Sequence, residues 1–428
     1  MSVTLDRINQ PLRKEIQKID VPQAKKYTLD NGIEVYAINA GFQDLVKVEL
    51  LFQNPDFNSE LPLLNSATNK MLAEGTNKYS SQQIADMIDY FGSFYETDEN
   101  ADFCSLILYS LNKYLGQTLP YVSEILQTPT FPEKELGIYR QNNKQRMIVD
   151  NEKVNSMARK KFGEIIFGAN HPYGYFVKPT DYDNLRSEDL IAFHKKKYDV
   201  VNCVIIVSGM VSDRTIQSLN LNFGQIKSTK EKTVTINPPF ESLSEKKHYI
   251  EKDGAIQSAI RIGMPFFNRK HVDYPGCAVM NTLFGGYFGS RLMSNIREEK
   301  GYTYSIGSAV VSMKQEGYFF ISTEVNAEST NDALKEIYFE VDEMRNELVD
   351  EEELEMVRNY MLGSFMKSID GAFSLAERWK SLYLSGLDYS YYDRYVEKVR
   401  TIQPEEIQEL SRKYFDPANF YEMVVGRK

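Results

Sequence analysis

The sequence predicts an α+β protein of two homologous halves in a clam-shell arrangement. Three observations predict it: an internal repeat, apolar stretches with alternating strand-like and helical spacing, and a Lys-, Ser-, Thr- and Pro-rich segment near the middle. Pro132-Glu133-Lys134-Glu135-Leu136, followed by Arg140, resembles Asp350-Glu351-Glu352-Glu353-Leu354, followed by Arg358, at an offset of 218. Asp189-Leu190, Lys197-Tyr198-Asp199 and Val207-Ser208-Gly209 resemble Glu406-Ile407, Lys413-Tyr414-Phe415 and Val424-Val425-Gly426, at an offset of 216 or 217. Two matches at nearly one offset point to a duplicated unit.

Each half reads in the same order. Extended apolar stretches at 46–52 and 259–264 come first. In the first half a helix follows over 61–74, with Pro62 in its first turn and Gly75 at its end. In the second half a helix over 290–299 ends at Gly301. Paired strands at 302–311 and 317–325 follow, rich in β-branched and aromatic residues. Long helices come next, then a last strand at 203–207 and again at 421–425. The division is 1–226 for the first half, 227–247 for the linker, with its Pro238-Pro239, and 248–428 for the second half. A groove between such halves is a natural ligand site.

Composition narrows the function. Of 428 residues 42% are hydrophobic and 26% charged, ordinary for a globular protein. A net charge of −10 argues against nucleic acid, which needs a basic footprint. No apolar run is long enough to span a bilayer and no secretory signal is visible, so the expected location is the cytoplasm, with no membrane partner. Cys104, Cys203 and Cys277 are far apart and are expected to be buried free thiols.

The most informative stretch is 66–70. Leu64, Ala67 and Met71 recur at helical spacing and face a core. Ser66, Asn69 and Lys70 share another face. In an inverted zinc-protease motif, H-x-x-E-H, that face carries two histidine ligands and a glutamate base. A hydroxyl, an amide and an ammonium are poor zinc ligands, and the ammonium repels the ion. The plainer reading is a solvated helix face. Among the four histidines, His171 in His-Pro-Tyr-Gly reads as a turn residue and His194 as an exposed helix residue. Nothing suggests a nucleophilic serine or cysteine. Gly285-Gly286-Tyr287-Phe288-Gly289-Ser290 lacks the Gly-Lys-Ser/Thr ending of a phosphate loop and reads as a close-packing turn or hinge.

Residues 29–35, 71–76, 171–174 and above all Ser290-Arg291-Leu292 with Ile296-Arg297-Glu298-Glu299-Lys300-Gly301-Tyr302-Thr303-Tyr304 resemble the pitrilysin/insulinase-type (inverzincin) zinc metallopeptidases. The similarity is to the two-chain branch that includes the mitochondrial processing peptidase. The resemblance implies a third zinc ligand, a glutamate, near Asn143, Lys144 and Gln145, where no carboxylate occurs. It therefore implies a zinc-less, non-catalytic subunit with no cofactor of its own, inactive alone. Zinc would reside in a homologous partner subunit, and an extended peptide would bind between them. In those enzymes an Arg/Tyr pair with the spacing of Arg297 and Tyr304 reaches the scissile bond from the half lacking zinc, and Gly285, Gly286 and Gly289 fall in a loop that gates the chamber. Tyr302, Tyr304 and Ile306 alternate onto one strand face. Self-association where the partner is absent is a further expectation. The alternative is a non-enzymatic peptide-binding or assembly protein of the same fold.

Overall fold

Alternation at period two builds the central strand of the first half. Val46, Val48, Leu50 and Phe52 point to one face and join one core; Leu51 on the other face joins a second. A computed structural model describes residues 19–53, 57–228 and 238–427. The first half comprises β1 (Lys25–Thr28), β2 (Glu34–Asn39), β3 (Leu45–Gln53), α1 (Leu64–Lys70), α2 (Ser81–Asp89), β4 (Phe94–Glu99), β5 (Phe103–Leu111), α3 (Asn112–Gln127), α4 (Glu133–Asn151), α5 (Val154–Phe167), α6 (Pro179–Asp183), α7 (Ser187–Lys197), β6 (Cys203–Gly209) and α8 (Asp213–Phe223). The second comprises β7 (Lys247–Glu251), β8 (Gln257–Phe266), α9 (Tyr274–Asn281), β9 (Thr303–Ser312), β10 (Gly317–Asn326), α10 (Thr330–Asn346), α11 (Glu351–Lys367), α12 (Ala372–Ser385), α13 (Ser390–Thr401), α14 (Pro404–Tyr414) and β11 (Tyr421–Gly426). Two π-helical segments, Thr282–Gly286 and Met293–Glu299, lie between α9 and β9.

The halves share one topology. The first sheet runs β1-β2-β6-β3-β5-β4 and the second β7-β11-β8-β10-β9. Without β1, the first order becomes the second when each strand is replaced by its counterpart. Local signals agree between halves. Helices α4 and α11 begin at Glu133 and Glu351, and α5 and α12 at Val154 and Ala372, each pair 218 residues apart.

The repeated helices α5 and α12 are exchanged between the halves. From α5, Ala158, Phe162 and Ile165 pack on Ala259, Tyr421, Met423 and Val425 of the second sheet. From α12, Leu375 and Ala376 pack on Ile38, Leu51, Val204 and Ile206 of the first. Each sheet is thus covered on both faces, which explains why β3 and β6 are buried along almost their whole length. At the centre of the α12 contact the outward face of β3 carries charge. Lys380 Nζ lies 3.0 Å from Glu49 Oε1 and 2.9 Å from Glu377 Oε2, and Lys47 Nζ lies 3.2 Å from Glu49 Oε2. Asp102 ties the halves a second time, accepting from Tyr173 Oη and from the Lys314 main chain.

The helix expected over 61–74 is shorter, spanning Leu64–Lys70. Met71, Leu72 and Ala73 are all buried. Met71 caps the helix with its main-chain N–H on the Ala67 carbonyl, and the chain turns there. Of the expected linker, residues 229–237 lie outside the described residues, as do 1–18 and 54–56 of the first half. The three cysteines are free and buried.

Candidate functional site

At its centre, Asn69, the altered-motif face is not a solvated one. Asn69 is fully buried. Its amide donates to the carbonyls of Asp98 at 3.0 Å and Ser105 at 3.4 Å, while Tyr198 Oη donates to its Oδ1 at 2.9 Å. Burial of the Tyr198 phenol pushes its pKa far up, which keeps it a donor. Lys70 stays half exposed and pairs with Glu99 Oε2 at 3.1 Å, and the same oxygen accepts from Asn69 at 3.4 Å. Ser66 donates to the Leu63 carbonyl and sits within hydrogen-bonding reach of Tyr139 on α4.

This face is electrostatically closed. An ammonium and a carboxylate neutralise each other where the motif would place a cation and its ligands. On α4, Asn143 donates to the Tyr139 carbonyl, Lys144 pairs with Asp183 at 2.6 Å, and Gln145 lines a surface cavity with Arg146 and Tyr182. Of the altered-motif positions on α1, Ser66 is the one that approaches α4, at Tyr139. Among the described residues no group of three or more His, Cys, Asp or Glu could hold a metal ion.

Sequence reasoning missed Glu99 and Tyr198. Glu99 is the last residue of the alternating β4, and Tyr198 stood out only as a repeat marker. The repeat itself was the signal: its counterpart Tyr414 likewise donates, at 2.6 Å, to Asp273 beside α9.

Two histidine expectations part ways. His171 is a buried turn residue whose Nδ1 accepts from the Tyr173 main chain at 3.1 Å, and desolvation lowers its pKa. His194 is buried rather than exposed; its Nε2 meets the Leu126 carbonyl at 2.8 Å and its ring stacks on Tyr198. Lys195 and Lys196 take the outward positions of α7.

In the second half, β9 is bulged at Tyr304. Thr303 lies opposite Val325 and Ile306 opposite Thr323, so Tyr304 and Ser305 together face Glu324 alone. The expected alternation of Tyr302, Tyr304 and Ile306 onto one face therefore fails. Ile306 is buried, whereas Tyr304 is 92% exposed. The bulge has its own hydrogen bonds: Thr303 Oγ1 donates to the Glu324 carbonyl at 2.6 Å and Thr323 Oγ1 to the Ser305 carbonyl at 2.9 Å. Arg297 donates from Nε to the Tyr304 carbonyl at 3.1 Å and lies over the Phe288 ring at 4.8 Å.

The glycine-rich stretch is less loop-like than expected. Gly285 and Gly286 are helical, and a Cβ on Gly285 would come within 2.5 Å of Ser308 Oγ on β9. Of the three glycines only Gly289 lies in the turn that follows.

Residues 184–361 match the family described as "Peptidase M16 inactive domain". The matched stretch contains Arg297 and Tyr304 and leaves out residues 66–70. The chain is 22% identical over 399 residues to "Uncharacterized zinc protease YmxG" of Bacillus subtilis, covering 91% of this chain and 95% of that protein. It is 22% identical over 371 residues to "Non-peptidase homolog YmxG" of Helicobacter pylori, covering 84% and 83%. A solved peptidase M16 inactive domain from Pseudomonas fluorescens superposes with a TM-score of 0.83 at 20% identity, over 95% of this chain and 98% of that one. A chain of Complex III2 from Candida albicans superposes with a TM-score of 0.74 at 15% identity, over 94% and 95%. The chain thus has the fold of the solved M16 structures, and its residues 184–361 are similar to the Peptidase M16 inactive domain.

Proposed function

We propose that this chain is the non-catalytic subunit of a heterodimeric zinc metalloendopeptidase. It binds no zinc itself and cleaves no peptide alone. Its partner is a homologous chain with an intact H-x-x-E-H helix, whose metal activates the attacking water. Extended peptides bind in the chamber between the two chains, and this chain contributes Arg297 and Tyr304. The observation that carries the reading is the β9 bulge. It leaves Tyr304 exposed next to an arginine whose described contacts are the Nε hydrogen bond to the Tyr304 carbonyl, a 3.4 Å contact to Glu298 and the Phe288 ring face, so guanidinium donors remain for a substrate carbonyl. The closed face at Ser66, Asn69 and Lys70 supports placing the metal elsewhere. The cytoplasm is the proposed compartment, in keeping with three unpaired buried thiols.

The test is co-expression with a homologous chain bearing H-x-x-E-H. Peptide cleavage should require both chains, and metal analysis should assign zinc to the partner. Stoichiometric zinc in this chain alone, or cleavage by it alone, would end the proposal. A second reading, a non-enzymatic peptide-binding or assembly protein, draws on the Helicobacter pylori relative named a non-peptidase homolog. Complex formation without any cleavage would favour it.

A further inference from the structure

The second half holds a cavity of about 270 Å³ bounded by α9, α11, α12 and α13. Its place in the fold is that of the altered motif in the first half: α9 follows β8 as α1 follows β3, and α11 follows α10 as α4 follows α3. The contents differ in kind. Where Ser66 lies near Tyr139 in the first half, the second presents two arginines, Arg269 and Arg378, and five phenols, Tyr274, Tyr360, Tyr391, Tyr392 and Tyr395.

The charge balance of this cavity is open. No carboxylate lines it, and neither arginine forms an ion pair with a described residue. Arg269 donates to Ser381 Oγ, lies 5.9 Å over the Tyr391 ring, and keeps a buried Nε with no acceptor. The guanidinium of Arg378 sits 5.8 Å over the Phe365 ring. Both positive charges lower the pKa values of Tyr392 and Tyr395, opposing the burial that raises them. Partly desolvated guanidinium groups without a counter-charge are costly in a protein. In a chain of net charge −10 their concentration in one aromatic cavity calls for an anion.

We propose that this cavity is a binding site for a small carboxylate or phosphate anion, held by Arg269 and Arg378 and flanked by tyrosine rings that accommodate a flat or apolar body. A guanidinium presents paired donors to either oxyanion. The surrounding phenols add neutral donors, and the aromatic walls favour a carboxylate on a ring over a bare ion. The site is separate from Arg297 and Tyr304 and does not depend on the peptidase reading.

The experiment is calorimetric titration of the full chain with benzoate, inorganic phosphate and neutral benzamide at low salt, alongside melting curves. Benzoate or phosphate should bind and raise the melting temperature, and benzamide should not. Saturable binding of benzoate alone would assign an organic carboxylate, and of phosphate alone a phosphate group. Arg378→Gln should weaken binding about tenfold or more, as expected for losing a charge-assisted hydrogen bond. Tyr395→Phe, which keeps the ring and the fold, should weaken it by a smaller factor and serves if Arg378→Gln does not fold. No binding of either anion to the folded chain would overturn the proposal. So would equal binding of benzamide, or unchanged affinity in folded Arg378→Gln or in Tyr395→Phe.

Discussion

Arg297 donates its Nε hydrogen to the main-chain carbonyl of Tyr304 at 3.1 Å. That carbonyl belongs to the bulge, and a bulge leaves backbone groups outside the ladder that need other partners. One guanidinium therefore holds the bulge from which the exposed Tyr304 side chain projects, and it keeps further N–H donors of its own. Arg297→Ala removes both effects; Tyr304→Phe removes only a hydroxyl. With a zinc-bearing partner present, Arg297→Ala should lower kcat/KM about a hundredfold or more, the usual cost of losing an oxyanion donor. Tyr304→Phe should lower turnover with an unchanged melting temperature, because its hydroxyl makes no hydrogen bond with a described residue. Steady-state kinetics and thermal melts of both variants check this, and wild-type turnover in both would remove the pair from the reaction.

The exchange of α12 predicts a second outcome. Glu49 is 1% exposed and meets Lys47 from its own strand and Lys380 from the other half. Removing one member leaves a buried charge with one partner fewer, which costs up to about 3–5 kcal/mol. Lys380→Met and Glu49→Gln should each destabilise by about this amount, and the double variant by less than the two combined. Urea denaturation of the four proteins measures the coupling.

Much of the fold was legible because it rests on local patterns. Strands expected at 46–52, 203–207, 259–264, 317–325 and 421–425 each fall inside β3, β6, β8, β10 and β11. The repeat announced the duplication, which the matching sheet orders express. Less legible was whatever depends on a partner far along the chain. Lys47 and Glu49 look like ordinary outward residues until α12, more than 300 positions later, covers them. Asn69 reads as solvated because nothing nearby reveals Tyr198. The bulge at Tyr304 is invisible in β9 alone, since it arises from pairing with β10.

Asn69 yields a third prediction. Its amide donates to two carbonyls in a site without solvent. Asn69→Asp replaces that donor with an oxygen facing those carbonyls and Glu99. An uncompensated buried charge should destabilise the chain by about 3 kcal/mol or more. Chemical denaturation at pH 7 measures it; stability within 0.5 kcal/mol of wild type, the usual scatter of surface substitutions, would show that this face is more open than described.

The last prediction concerns acid. Desolvation lowers the His171 pKa, with the charge of Asp102 opposing the shift in part. The ring is enclosed by Phe167, Tyr173 and Phe240, and its Nδ1 must be unprotonated to accept from the Tyr173 main chain. The unfolded chain takes up a proton near the ordinary histidine pKa of about 6.5, while the folded chain resists until its own lower pKa. Stability is therefore complete above about pH 6.5 and is lost as pH falls from there through the folded pKa, below which this contribution is flat. His171→Asn keeps an acceptor for the Tyr173 main chain but does not titrate. It should be less stable than wild type at pH 7.5, having lost ring packing, and the gap should narrow as the pH is lowered from about 6.5. Melting temperatures of both proteins across that range decide the matter: parallel pH profiles would mean that His171 takes up its proton equally well in the folded and unfolded chain.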